Sequence, residues 1–183
     1  SSYAAIGHGG REAAGDLDGD ITVDASGILA LLAGEGVRGS AQIGHGGYNT
    51  DGLKSGTVTV TSGGAMTLQG GQGVLDTGVT NQFAAGTQRW AHIGHGGLNA
   101  DGNTSGSIIV NSGGSLSGTA GDRNDDYAQI GHGGRTARGD HGVDGDQISV
   151  TANGPISFSG GASGEVDDGF SGQRSYAMIG NGG

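Results

Sequence analysis

The phrase IG(H/N)GG occurs five times in this chain, led by Ile6, Ile43, Ile93, Ile130 and Ile179. The steps between successive isoleucines are 37, 50, 37 and 49 residues, so short and long units alternate within a larger period of 86 or 87. Self-similarity at such a period marks a stack of equivalent units, each burying its apolar face against the next. The units run 6–42, 43–92, 93–129 and 130–178, with a fifth opening at 179–183, and they read as a single repetitive domain.

Each unit carries a second phrase: GDITVDASGILAL at 19–31, GTVTVTSGGAMTL at 56–68, GSIIVNSGGSLSG at 106–118 and GDQISVTANGPISF at 145–158. Apolar residues alternate there with small polar ones, the two-residue period of a half-buried strand. Ile21/Val23, Val58/Val60, Ile108/Val110 and Ile148/Val150 face one way. After a glycine-containing corner, a second short strand presents Leu29/Leu31, Met66/Leu68, Leu116 and Ile156/Phe158. The opening phrase supplies a third strand, and no helical period appears anywhere. The prediction is an all-β fold: a parallel β-helix or β-solenoid of about four coils, with three short strands in each. The extra length of alternate units falls at 69–89 and 159–174, as loops hung on one side. A β-propeller repeats at a similar length but needs four strands per blade.

Composition agrees with a narrow core. Glycine makes up 45 of 183 residues, and only 32% of the chain is hydrophobic. The net charge is −10, with one lysine and no basic stripe, which argues against nucleic acid and anionic membrane surfaces as partners. No apolar run approaches the ~20 residues that span a bilayer, so membrane insertion is not expected. Cysteine is absent, and no charged-then-apolar leader opens the chain, which predicts a mature portion or a fragment.

The G-x-(I/V)-x-V-x-(A/S/T)-x-G-x-(I/L/M)-x-(L/F) pattern in the second phrases resembles the repeat region of filamentous-haemagglutinin-like exoproteins. These are bacterial adhesins exported by two-partner secretion. The resemblance covers about a third of the chain. It implies a parallel β-helix that extends as a rod from the cell surface, hence a secreted, extracellular or surface-held protein.

In a stack, His8, His45, His95, His132 and Asn181 fall at one angular position. Two nitrogens on one tetrahedral zinc converge to ~3.3 Å, whereas stacked coils hold parallel side chains ~4.8 Å apart. A metal array is therefore disfavoured. A neutral imidazole offers one donor and one acceptor, as an asparagine amide also does, so the five positions read as a structural ladder at a corner. Asn181 then replaces histidine without breaking the pattern. His92 and His141 lie off this ladder and are expected to face solvent.

Tyr3, Trp90, Tyr127 and Tyr176 precede the motif at an outward position, with Ser40 as the gap. Packing beneath the long loops is the favoured reading of this column, and Trp90, Tyr127 and Tyr176 are candidate glycan contacts on the alternative one. Asp16, Asp18 and Asp20 are spaced like the start of a calcium loop, but glycine stands at the fourth place and Gly27 at the twelfth. They and Asp140, Asp144 and Asp146 are candidate weak calcium ligands, or simply good turn formers. No other cofactor is implied. Asp125, Asp126, Glu165, Asp167 and Asp168 are the acids a glycosidase would need, but nothing in the sequence brings them together, and an enzyme is not expected. TVTVT at 57–61 resembles the threonine arrays of ice-binding solenoids, yet the equivalent positions of the other units are not threonine throughout.

The expected function is that of an extracellular structural rod or filament for adhesion, biofilm matrix or surface display. Its partners are further coils of a longer chain or copies of itself stacked end to end. A carbohydrate-binding adhesin module is the alternative.

Overall fold

A computed structural model describes residues 2–71, 88–122, 125–143, 145–161 and 175–182. Within them the fold is all-β, without a helix, and every named strand pairs in parallel with its counterpart in the neighbouring repeat. Five sheets result. The first joins Tyr3–Ile6, Ser40–Ile43, Trp90–Ile93, Tyr127–Ile130 and Tyr176–Ile179. The fourth joins Ile21–Ala25, Val58–Ser62, Ile108–Ser112 and Ile148–Ala152, and the fifth joins Leu29–Leu32, Met66–Gln69, Leu116–Thr119 and Ile156–Ser159.

These three sheets enclose the main core. Val58, Val60, Met66, Leu68, Ala91, Ile93, Ile108, Val110, Leu116 and Ile130 are fully buried within it. The alternation read from the sequence fixes which side chains enter, because successive residues of a strand point to opposite faces. Ala, Val, Ile, Leu and Met fill it, and equivalent positions stack in register from repeat to repeat.

Two further sheets were not expected. Gly9–Arg11, Gly46–Tyr48 and Gly96–Leu98 form the second, and Leu17–Asp18, Lys54–Ser55 and Thr104–Ser105 form the third. The expectation of three strands per repeat is thus corrected to five in each of the first three repeats. The added strands are two or three residues long and glycine-rich, so they pair through backbone alone and leave no apolar alternation to read. In the fourth repeat they shrink to isolated bridges, such as Gly96 with Gly133 and Thr104 with His141.

Glycine is required at the turn linking the first two sheets. Gly94 has φ +140°, and a Cβ there would collide with the carbonyl oxygen of Gly131 in the next repeat. The same holds for Gly44 (φ +148°) against Gly94. Backbones therefore approach across repeats at a distance no side chain permits.

The excursions at 69–89 and 159–174 fall mostly outside the described residues. A smaller insertion does fall within them: Ile93 pairs with Ile130, 37 positions on, whereas Ile108 pairs with Ile148, 40 positions on. The excess lies in the polar segment of the fourth repeat. There Val143 and Asp146 close a short loop, with Asp146 N donating to Val143 O at 3.0 Å and Val143 N to Asp146 Oδ2 at 2.9 Å.

The second sheet covers the outer face of the first, so strands such as Ser40–Ile43 and Trp90–Ile93 are buried on both faces. Between the two lies a second core of Trp90, Leu98 and Tyr127, flanked by Tyr48 and Tyr176. Ser40, the gap in the aromatic column, is explained here. Ser40 pairs in register with Trp90, and Tyr48 with Leu98. Small faces large in one repeat and large faces small in the next, which keeps the layer evenly filled.

Candidate functional site

The turn of each IG(H/N)GG phrase joins the first sheet to the second, and its histidine fills the corner between that turn and the approach to the fourth sheet. His45, His95 and His132 are about 1% exposed or less. Neighbouring rings along the column His8, His45, His95 and His132 stack with centroids 4.9, 4.8 and 5.1 Å apart. The rings of His45, His95 and His132 each grip the repeat before their own at two points. Nδ1 of His45, His95 and His132 accepts the backbone N–H of His8, His45 and His95 at 3.0, 3.0 and 3.2 Å. Nε2 of the same three rings meets the carbonyls of Gly19, Gly56 and Gly106 at 2.8, 2.8 and 2.7 Å. A carbonyl can only accept and a backbone N–H can only donate, so each of these rings is neutral with its proton on Nε2. Asn181 closes the column: its Oδ1 accepts His132 N–H at 2.8 Å and its Nδ2 donates to His141 O at 3.1 Å. The amide thereby presents the same acceptor and donor as that tautomer.

Burial disfavours the charged ring. It holds the pKa of His95 at about 3, against a partial offset from the Gly56 carbonyl and a further lowering by His132. Burial lowers His132 as well, chiefly against the raising effect of the Gly106 carbonyl.

A second polar column lies on the opposite face of the first sheet, inside the second core. Gln42 donates to the carbonyl of Gly96 at 3.1 Å, and Gln129 to those of Gly180 and Gly182 at 3.1 and 2.9 Å. His92, in register between them, reaches Gly131 O at 2.6 Å. His92 is completely buried, which corrects the expectation that it faces solvent; burial sets its pKa at about 4. His141 is half-buried rather than solvent-facing, with Nδ1 3.1 Å from Thr104 Oγ1.

The candidate glycan contacts are not a surface platform. Trp90 and Tyr127 are 1% and 0% exposed, and Tyr176 is partly buried. Their rings stack on one another, Trp90 on Tyr127 at 6.0 Å and Tyr127 on Tyr176 at 5.0 Å. The second sheet, which the sequence did not disclose, is what covers them.

Four of the candidate calcium ligands, Asp16, Asp18, Asp20 and Asp146, accept hydrogen bonds that link repeats. Asp16 Oδ1 accepts Leu53 N–H at 2.9 Å, Asp18 Oδ1 accepts the Ser55 hydroxyl at 2.7 Å, and Asp20 Oδ1 accepts Thr57 N–H at 2.8 Å. Asp146 Oδ2 accepts from Val143 and Gly106, and these bonds hold its carboxyl below the usual range. Asp140 is exposed, its backbone N–H bonded to Asn103, and Asp144 lies outside the described residues. Among the described residues no group of three or more histidines and carboxylates could hold a metal ion.

Of the candidate acids, Asp126 is buried in an ion pair with Arg89, both side chains 0% exposed. Asp126 Oδ1 also accepts the Arg89 backbone N–H at 2.8 Å. Asp125 pairs with Arg135 at 2.5 Å. Glu165, Asp167 and Asp168 lie outside the described residues. Lys54, the one lysine, is 1% exposed and donates to the carbonyls of Gly52 at 2.9 Å and Asp101 at 2.7 Å. Buried lysine and arginine give no periodic signal. The spacing of 37 between Arg89 and Asp126, equal to the short repeat, is the one clue to their pairing. Comparison with protein-family models, characterised proteins and solved structures finds no match to this chain.

Proposed function

We propose that the five sheets are the faces of a single β-solenoid and that the protein is a non-enzymatic structural scaffold, a segment of an extracellular rod. The histidine column carries this reading. Side chains that would do chemistry are consumed in hydrogen bonds along the stacking axis, each joining one repeat to the one before. The carboxylates of Asp16, Asp18, Asp20 and Asp126 are spent in the same way. The extracellular address and the role in adhesion, biofilm matrix or surface display follow from the resemblance of the repeat phrases to two-partner-secretion adhesins.

In a quasi-one-dimensional stack, added repeats lengthen the particle without changing its section. Duplicating residues 43–129 in tandem adds two repeats. Small-angle X-ray scattering should show the particle longer by about 10 Å at ~4.8 Å per row, with an unchanged cross-section. A wider or unfolded particle would count against the solenoid, and turnover of any polysaccharide in a panel would count against the scaffold.

A further inference from the structure

Asn103, Thr104 and Ser105 spell N-x-S, and Asn103 is the one asparagine of the sequence with serine or threonine two residues on. That triplet is the acceptor signature for N-glycosylation, a modification of surface loops in exported proteins. The structure puts it on the surface. Leu17, Lys54, Thr104 and His141 stand in register, so Asp16, Leu53, Asn103 and Asp140 share the position before. All four of these are exposed. Repeats pair on both sides of Asn103, with Lys54 N donating to Asn103 O at 3.0 Å and Thr104 N to Asp140 O at 2.9 Å. Its exposure therefore comes from the direction of its side chain and not from an end of the stack. Thr104 is 1% exposed and Ser105 is half-buried, the alternation that sets side chains 103 and 105 on one face.

The amide is also oriented. Asn103 Oδ1 accepts the backbone N–H of Asp140 at 3.0 Å. A backbone N–H can only donate, so Nδ2 is the atom turned away from that repeat. Neither Nδ2 nor the Ser105 hydroxyl is used in a hydrogen bond among the described residues, whereas the equivalent Ser55 hydroxyl is spent on Asp18 at 2.7 Å. Gly139 lies alongside without a side chain, where a Cβ would stand 3.0 Å from Asn103 Oδ1.

We propose that Asn103 is an N-glycan acceptor and that Ser105 supplies the hydroxyl a sugar transferase reads. Nδ2 attacks the anomeric carbon of a diphosphate-activated sugar. The N–C bond forms, the C–O bond to the diphosphate breaks, and one amide proton is lost. The glycan then projects from the third sheet and leaves both cores untouched. The site rests on the extracellular address proposed above.

Arg89 and Arg123 bracket the triplet with no lysine or arginine between them, so trypsin releases it in one peptide, 90–123. The chain is collected from the medium, surface and cytoplasm of the cells that produce it, and this peptide is mapped by mass and fragmentation. In the exported chain Asn103 should carry sugar. An increment of one sugar marks a nucleotide-activated donor, and a preassembled oligosaccharide marks a lipid-linked one. Asn103→Gln and Ser105→Ala should each abolish the increment, Ser105→Thr should keep it, and Asn111→Gln should leave it unchanged. An exported chain with bare Asn103, or an increment that survives Ser105→Ala, would overturn the acceptor alone. A bare chain held in the cytoplasm would overturn the address and the acceptor with it.

Discussion

Nδ1 of His95 accepts the backbone N–H of His45 at 3.0 Å, while Nε2 of the same ring lies 2.8 Å from the carbonyl of Gly56. One side chain thus satisfies two buried backbone groups of the preceding repeat, at two separate corners. An unmade bond at either site carries the desolvation cost of a buried polar group.

Substitution at His95 should therefore sort by hydrogen bonding rather than size. His95→Leu strands His45 N–H and Gly56 O and is expected to cost about 3 kcal/mol or more. His95→Asn restores one acceptor and one donor, as Asn181 does on His132, and should cost less than about 1.5 kcal/mol. Denaturant unfolding of the two variants checks the order; equal losses would contradict it.

Acid should loosen the stack. The folded-state pKa values of about 3 for His95 and about 4 for His92 lie below the ordinary 6.5. A group whose pKa is depressed by folding contributes stability that is present above its unfolded pKa and is lost as pH falls toward the folded one. The melting temperature should be flat from pH 8 to 7, then decline below about 6.5 and continue down toward 3. His95→Asn should remove part of the slope. A melting temperature indifferent to pH between 7 and 4 would contradict neutral buried rings.

Breaking the Arg89–Asp126 pair should be severe. Asp126→Leu leaves a buried guanidinium without its partner, at an expected cost of about 3–5 kcal/mol. Arg89→Met together with Asp126→Leu should recover much of that loss, because removing both charges also removes their desolvation cost. A double-mutant cycle on unfolding free energies measures the coupling; additive losses would show that the pair does not act as a unit.

Calcium should not stabilise the chain. Asp16, Asp18, Asp20 and Asp146 already accept hydrogen bonds from other backbone or hydroxyl groups, so a cation would have to break them. Thermal melts with millimolar calcium and with EDTA should superimpose. A calcium-dependent rise in melting temperature would return these loops to the status of metal sites.

How much of this was legible in the sequence varies by residue. Val58, Val60, Met66 and Leu68 announce their burial through strict alternation, and the ladder positions announce themselves through the identical phrase around them. The outer layer does not. Gly46–Tyr48 and Lys54–Ser55 are too short and too glycine-rich to carry a period, so packing of Trp90 and Tyr127 was expected beneath the long loops and not beneath a second sheet. The error over His92 has the same origin: a face judged free is an interior one. Gln42, His92 and Gln129 occupy one register position with long polar side chains on a strand whose other face is core, and that recurrence was the available signal.

The central claim is that neutral histidines, protonated at Nε2, join repeat to repeat. Long-range ¹H–¹⁵N correlation spectra of the imidazoles at pH 6 test it most directly, with His→Asn variants assigning each ring. The account predicts that His45, His95 and His132 are neutral, with the proton on Nε2 and Nδ1 shifted as a hydrogen-bond acceptor. Imidazolium signals, or rings protonated on Nδ1, at these three positions would contradict it.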